Sequence, residues 1–178
     1  RAAERCIIEP LLSVLIDVFI RCFGGDRMDG DQRRRLIIEM LENSDAPISG
    51  SEFAKRVHAM GCKVIAYDIE AGAANRTFPD FVEFVSEEEL IAQSDIISVH
   101  APLNAQTKHL FTYEAFAKMK QSAYFINVGR GPIVKEGDLC RALNENLIAG
   151  AGLDVLEQEP LELTNPLSKI KDSTRLII

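Results

Sequence analysis

Residues 123–154 read AYFINVGRGPIVKEGDLCRALNENLIAGAGLD, and this stretch decides the fold class. Its first five residues, apolar up to Asn127, form a run of strand length that leads into Val128-Gly129-Arg130-Gly131, a segment too rich in glycine to continue a strand. Residues 137–145 carry Leu139, Cys140, Ala142 and Leu143 at helical spacing, and residues 149–154 return to a short apolar run. A strand, a helix and a second strand within 32 residues make a βαβ unit, which requires the two strands to be parallel. The same alternation extends toward the N-terminus, with strands predicted over 63–67, 96–100 and 123–127 and helices over 53–60, 87–93 and 113–118. An apolar run at 81–85 and a last strand over 174–178 complete the pattern. Apolar runs separated by helices predict a parallel sheet covered on both faces. In such sheets ligands bind beyond the carboxyl ends of the strands. Those ends hold Asp68, His100-Ala101-Pro102, Val128 to Gly131, and Asp154 through Glu159.

The whole sequence has 178 residues, 20 Lys+Arg against 27 Asp+Glu, and a formal charge of −7. With 47% apolar and 26% charged residues it reads as globular, and the acidic balance argues against a general nucleic-acid binder. Cys6, Cys22, Cys62 and Cys140 form no C-x-x-C pair, so reduced thiols in a cytoplasmic protein are expected. The histidines at 58, 100 and 109 have no ligand spacing among them, and no metal site is predicted. The chain begins at Arg1 and stops at Ile178 within an apolar run, which reads as a cut end.

The first fifty residues differ in kind. All seven basic residues of positions 1–50 are arginine, the first lysine is Lys55, and the shift suggests a boundary near residue 50. The expected organisation is therefore a helical segment over 1–50 and a partial dinucleotide-binding domain over 51–178. Residues 4–23 are nearly apolar, with Arg5, Glu9, Ser13, Asp17 and Arg21 recurring every four residues, which predicts one buried helix. Glu9 and Asp17 would each cost about 2.5–3.5 kcal/mol at a bilayer centre, so a membrane span is not expected. A second helix is predicted over 31–42, followed by a turn and by Ser49 with Glu52 in capping-box spacing. Residues 29–56 resemble the opening of winged helix-turn-helix repressors. The place of a recognition helix is instead taken by a strand pattern after His58, which leaves DNA binding unsupported.

The segments AKRVHAMGCKVIAYD, SDIISVHAPLNAQTKHLF, FINVGRGPIVKEGDLCRALNE and IAGAGLDVLEQEP resemble the nucleotide-binding domain of NAD-dependent D-2-hydroxyacid dehydrogenases, a family that includes glycerate and phosphoglycerate dehydrogenases. The resemblance covers roughly residues 50–178. It implies a Rossmann-like α/β domain, NAD as cofactor, and hydride transfer between the nicotinamide and a small 2-hydroxy or 2-oxo acid. It also implies a homodimer. Arg130 would grip the substrate carboxylate and polarise its carbonyl, and a guanidinium suits that task because two parallel hydrogen bonds match a carboxylate. Glu159, before Pro160, would hold a catalytic histidine in one tautomer. Asp68, 18 residues beyond Gly50, would accept hydrogen bonds from the ribose hydroxyls. Asp154 would orient the nicotinamide, and His100-Ala101-Pro102 with Val128-Gly129 would wall the cofactor. His100 would have a packing role, while His58 and His109 read as helix-surface or loop residues.

Two departures from the pattern stand out. If Gly50 is the third glycine of G-x-G-x-x-G, the first two positions hold Asp45 and Pro47. Asp45 brings negative charge toward a pyrophosphate and Pro47 offers no amide hydrogen, so NAD affinity should be severely weakened. Residues 39–44 are too polar for a central strand, which predicts that the first strand and glycine loop are missing. The sheet is then distorted, or completed by the N-terminal segment. The resemblance also places a catalytic histidine in a Pro-His pair just after the last strand, beyond Ile178. The expected chain is an incomplete, inactive form, with a winged-helix regulator or a noncatalytic Rossmann remnant as alternatives. GSEFAKR suits both resemblances and would mark the junction.

Overall fold

The computed structural model describes residues 17–21, 50–67 and 79–178. Their elements are β1 (Asp17–Arg21), α1 (Gly50–Ala59), β2 (Lys63–Tyr67), β3 (Val82–Phe84), α2 (Glu87–Gln93), β4 (Ile96–Val99), α3 (Tyr113–Lys118), β5 (Tyr124–Asn127), α4 (Glu136–Asn144), β6 (Gly150–Leu153) and β7 (Leu176–Ile177). They form one seven-stranded sheet in the order β3-β2-β1-β4-β5-β6-β7. Six strands share one direction. β1 alone is antiparallel to both neighbours, pairing Asp17 with Tyr67 and Arg21 with Lys63 on one side, and Val18 with Ser98 on the other.

Alternation along the strands sends side chains to two separate apolar layers. Val64 and Ile96 pack with Phe53, Ala54 and Val57 of α1. Ile65, Ile97, Val99 and Phe125 face the opposite way, against Leu90, Phe116, Leu139 and Leu143 of α2, α3 and α4. The larger layer centres on three rings: Phe125 lies 4.7 Å from Phe111 and 5.2 Å from Phe116, the latter edge-on. Helices therefore cover both faces, as a parallel sheet demands. Local chemistry fixes the ends. Ser86 and Glu89 form a reciprocal capping box that starts α2, and the hydrogen bonds from Ser86 hold the Glu89 carboxyl below its ordinary pKa.

The sequence pattern over 4–23 predicted a helix, and the structure corrects it: residues 17–21 are a strand. A short apolar run cannot by itself distinguish a buried strand from a buried helix, and Val18, Phe19 and Ile20 are all good strand formers. Two facing sheet edges at β2 and β4 would leave their backbone groups unpaired unless a strand filled the gap. β1 fills it, so the N-terminal segment completes the sheet, with its direction reversed. The predicted helix over 31–42, the capping pair at Ser49, Asp45, Pro47 and Asp68 lie outside the described residues. α1 leads into β2 and not into a further helix, so the winged-helix pattern does not continue there. The last strand is also shorter than predicted. Residues 173–175 form a 3₁₀ turn, and only Leu176–Ile177 pairs with β6.

Candidate functional site

Each parallel strand delivers its last residue to the same end of the sheet. β4 ends into His100-Ala101-Pro102, β5 into Val128-Gly129-Arg130, and β6 into Asp154. Backbone hydrogen bonds knit these three exits together: Val128 N–H donates to the Val99 carbonyl at 3.2 Å, and Asp154 N–H to the Asn127 carbonyl at 3.0 Å. α1 points its first turn at the same place, because the Phe53 ring lies 6.4 Å from that of His100. Gly50 opens that helix. The structure thus gathers Gly50, His100, Ala101, Pro102, Val128, Gly129, Arg130 and Asp154 at one end of the sheet.

Asn127 shapes the β5 exit. It is fully buried; its Oδ1 accepts from the Gly129 N–H at 3.1 Å and its Nδ2 donates to the Arg130 carbonyl at 3.1 Å. A buried amide satisfied by its own loop fixes the path of that loop. Gly129 is required by close approach, since a Cβ there would sit 2.8 Å from the Ala101 carbonyl oxygen. Arg130 emerges exposed, with Nη1 donating to the Gly129 carbonyl at 2.8 Å and the rest of its fork open to solvent. Asn127 was missed in the sequence reading, although a polar residue closing an otherwise apolar strand was the available signal.

His100 is partly buried, its Nε2 2.9 Å from Ser98 Oγ, and burial lowers its pKa from 6.5 to about 4. An imidazole held neutral this way is a wall and hydrogen-bond partner, not a proton donor at neutral pH. Val128 is 37% exposed beside the Arg130 turn, and Pro102 and Asp154 are exposed.

Glu159 lies on the long loop after Asp154, where one carboxylate oxygen accepts from the Leu156 N–H at 3.0 Å. The peptide to Pro160 is cis. That loop rests on Gly131, where a Cβ would fall inside the Leu156 carbonyl group. It also rests on Glu136, a carboxylate only 3% exposed that receives the Glu157 N–H and the Asn165 amide, each at 2.6 Å. His109, a loop residue with φ +53°, reaches Glu157 at 2.7 Å. His58 is exposed on α1 and stacks on the Phe81 ring at 4.0 Å. Among the described residues no group of three His, Cys, Asp or Glu could hold a metal ion, and no helix is long and apolar enough to cross a membrane.

An open α/β sheet with its ligand-binding loops at one end defines the class of dinucleotide-binding domains. More narrowly, residues 48–176 match the family model of the D-isomer specific 2-hydroxyacid dehydrogenase NAD binding domain, and the chain belongs to that family. A glyoxylate reductase of Thermofilum pendens is 45% identical over 120 residues, covering 67% of this chain and 35% of that protein. A hydroxypyruvate reductase of Blautia hydrogenotrophica is 39% identical over 69% of this chain and 38% of its own length. Among solved structures, the NAD-complexed D-isomer specific 2-hydroxyacid dehydrogenase of Lactobacillus delbrueckii ssp. bulgaricus superposes with a TM-score of 0.63 and 34% identity, over 72% of this chain and 41% of that one. The chain thus spans 35% to 41% of the length of these relatives.

Proposed function

We propose that this chain carries the nicotinamide-side half of an NAD-dependent oxidoreductase site for a small 2-hydroxy or 2-oxo acid. The observation that carries the reading is the convergence of the β4, β5 and β6 exits around an exposed Arg130, within a family whose domain binds NAD. A bound nicotinamide dinucleotide would supply the hydride donor or acceptor. The residues on this side fit it: the backbones of Ala101 and Gly129 meet closely enough to form one continuous wall, and Asp154 stands exposed at the next strand end. Arg130 would bind the substrate carboxylate through its unused N–H groups and draw electron density from the adjoining carbonyl. Glu159 would accept a hydrogen bond from a histidine through the oxygen not engaged by Leu156, raising that imidazole's affinity for a proton. None of His58, His100 or His109 is set against Glu159, so a protonating histidine comes from outside these three. Asp68 is proposed to bind the ribose hydroxyls, and Gly50 to open the helix facing the diphosphate.

The diphosphate side is the weaker one, because Asp45 and Pro47 stand where two glycines would allow backbone approach. Glyoxylate and hydroxypyruvate, the substrates named for two relatives, are the proposed first substrates. The domain would pair with a second copy of itself. The buried thiols of Cys62 and Cys140, neither joined in a disulfide, suit a reducing cytoplasm as the proposed location.

Calorimetric titration with NADH, followed by glyoxylate, tests the reading. Millimolar binding, lost in Arg130→Gln only for glyoxylate, is expected. Glyoxylate binding unaffected by that substitution would refute the assignment of Arg130.

A further inference from the structure

The acid loop that carries Glu159 is exposed and nearly bare of buried apolar side chains, yet its path is fixed at several points. Residues 157–164 are all exposed, and Leu163 is 96% exposed. Apolar burial therefore does not hold this segment. What holds it is polar and comes from far away in sequence.

Glu136, in the first turn of α4, is the foundation. Both its carboxylate oxygens point at donors of the loop: Oε1 takes the Glu157 N–H, and Oε2 takes the Asn165 side-chain amide. Asn165 is itself 8% exposed, and its Oδ1 accepts from the Leu167 N–H at 2.8 Å, so its amide cannot turn over without losing that bond. One buried carboxylate thus grips the loop on both sides of Glu159, two residues before it and six residues after it. Each oxygen of this buried carboxylate has a hydrogen-bond donor, which is what makes its burial tolerable. His109 supplies the second fixture. Its backbone N–H donates to the Pro132 carbonyl at 2.8 Å, inside the turn that follows Arg130, while its ring nitrogen reaches Glu157 at 2.7 Å. Gly131, next to Arg130, lies directly beneath the Leu156 carbonyl.

We propose that Glu136 and His109 are positioning residues that form a frame setting the distance and orientation between Arg130 and Glu159. Neither touches substrate or cofactor. Glu136 closes the loop into a fixed arch, and His109 ties that arch to the arginine turn. The proposal builds on the roles proposed above for Arg130 and Glu159, but the frame itself can be tested without them.

The test uses the isosteric variant Glu136→Gln. An amide offers one acceptor to two donors, so one of the two grips must fail; a side chain needed only for its volume would tolerate the change. Hydrogen exchange in the full chain should then quicken about 10- to 100-fold at the Glu157 or Leu167 amide, the range expected for losing a charge-assisted hydrogen bond. Amides of α3 and β5 should be unchanged. Adding Asn165→Asp reverses the donor and acceptor between positions 136 and 165 and keeps an acceptor for Leu167, so the double variant should restore slow exchange. Unchanged exchange in Glu136→Gln, or no rescue in the double variant, would overturn the role of Glu136.

For His109, the variant is His109→Asn, which keeps a residue suited to positive φ but cannot span to Glu157. Glyoxylate added to the wild-type chain should shift the Arg130 side-chain resonances together with the Glu157 and Glu159 amides. In His109→Asn the arginine should still respond and the loop should not. A loop that still responds would overturn the role of His109. No response at Arg130 even in the wild type would instead sink the proposed function, while the exchange rescue would still decide the role of Glu136.

Discussion

On the β4–β6 side of the sheet every strand runs toward the candidate site and hands over one of its loops, whereas β1, at the sheet's centre, runs the other way. Asp17, the first residue of β1, is level with Tyr67 at the site end, and Arg21 is level with Lys63 at the far end. Twenty-eight residues, 22–49, then separate β1 from the start of α1. In a regular βαβ arrangement the first strand would end at the site and turn directly into the helix. The contrast teaches that the sheet needs a strand in that slot, while the site needs a strand of one particular direction. Backbone hydrogen bonding is satisfied by either polarity; delivery of a phosphate-binding turn is not.

Gly131→Ala attacks the well-formed side: its Cβ would collide with the Leu156 carbonyl, and a loss of about 4 kcal/mol is expected in urea unfolding, with Arg130 and Glu159 driven apart. Phe19→Pro attacks the reversed strand through the backbone alone, because residue 19 is paired with Ile65 on one side and Ile97 on the other. Removal of an N–H from a central strand should cost about 3 kcal/mol; an unchanged urea midpoint would mean that β1 does not occupy the slot.

A third effect is pH-dependent. The folded state holds His100 at a pKa of about 4, below its unfolded value of 6.5, so the unfolded chain binds the extra proton more readily. Stability is unaffected well above pH 6.5 and falls progressively as pH drops from 6.5 to about 4, by about 3.4 kcal/mol at most. His100→Gln should flatten unfolding curves compared between pH 7 and pH 4.5. Smallest of all is Lys118→Ala, which removes a 3.5 Å pair with Glu88 on the exposed surface and should leave the urea midpoint within error.

The sequence reading was best where local pattern and fold class agree. Helices α2 and α3 fall at 87–93 and 113–118 as predicted, because each is a compact apolar stripe bounded by a capping residue or a turn. The gathering of Gly50, His100, Val128, Arg130 and Asp154 at one sheet end was legible too, since each immediately follows a buried strand or opens a helix. β1 was not, because five apolar-rich residues fit helix and strand equally and only the vacancy between β2 and β4 decides. The shortening of β7 was also illegible: Arg175 turns back to the carbonyls of Leu143 at 2.7 Å and Ala149 at 2.8 Å, capping α4 instead of extending the strand. The frame under Glu159 joins residues 21, 29 and 48 positions apart, beyond the reach of any spacing rule.

The most direct test of the unequal halves is to titrate the chain with NADH and, separately, with reduced nicotinamide mononucleotide, following amide shifts by NMR. Millimolar affinities within about tenfold of each other are expected, because the adenosine half contributes less than about 1.4 kcal/mol. Shifts should centre on residues 100–102, 127–131 and 154. Micromolar NADH binding, at least a hundredfold tighter than the mononucleotide and with strong shifts at residues 50–53, would contradict that expectation.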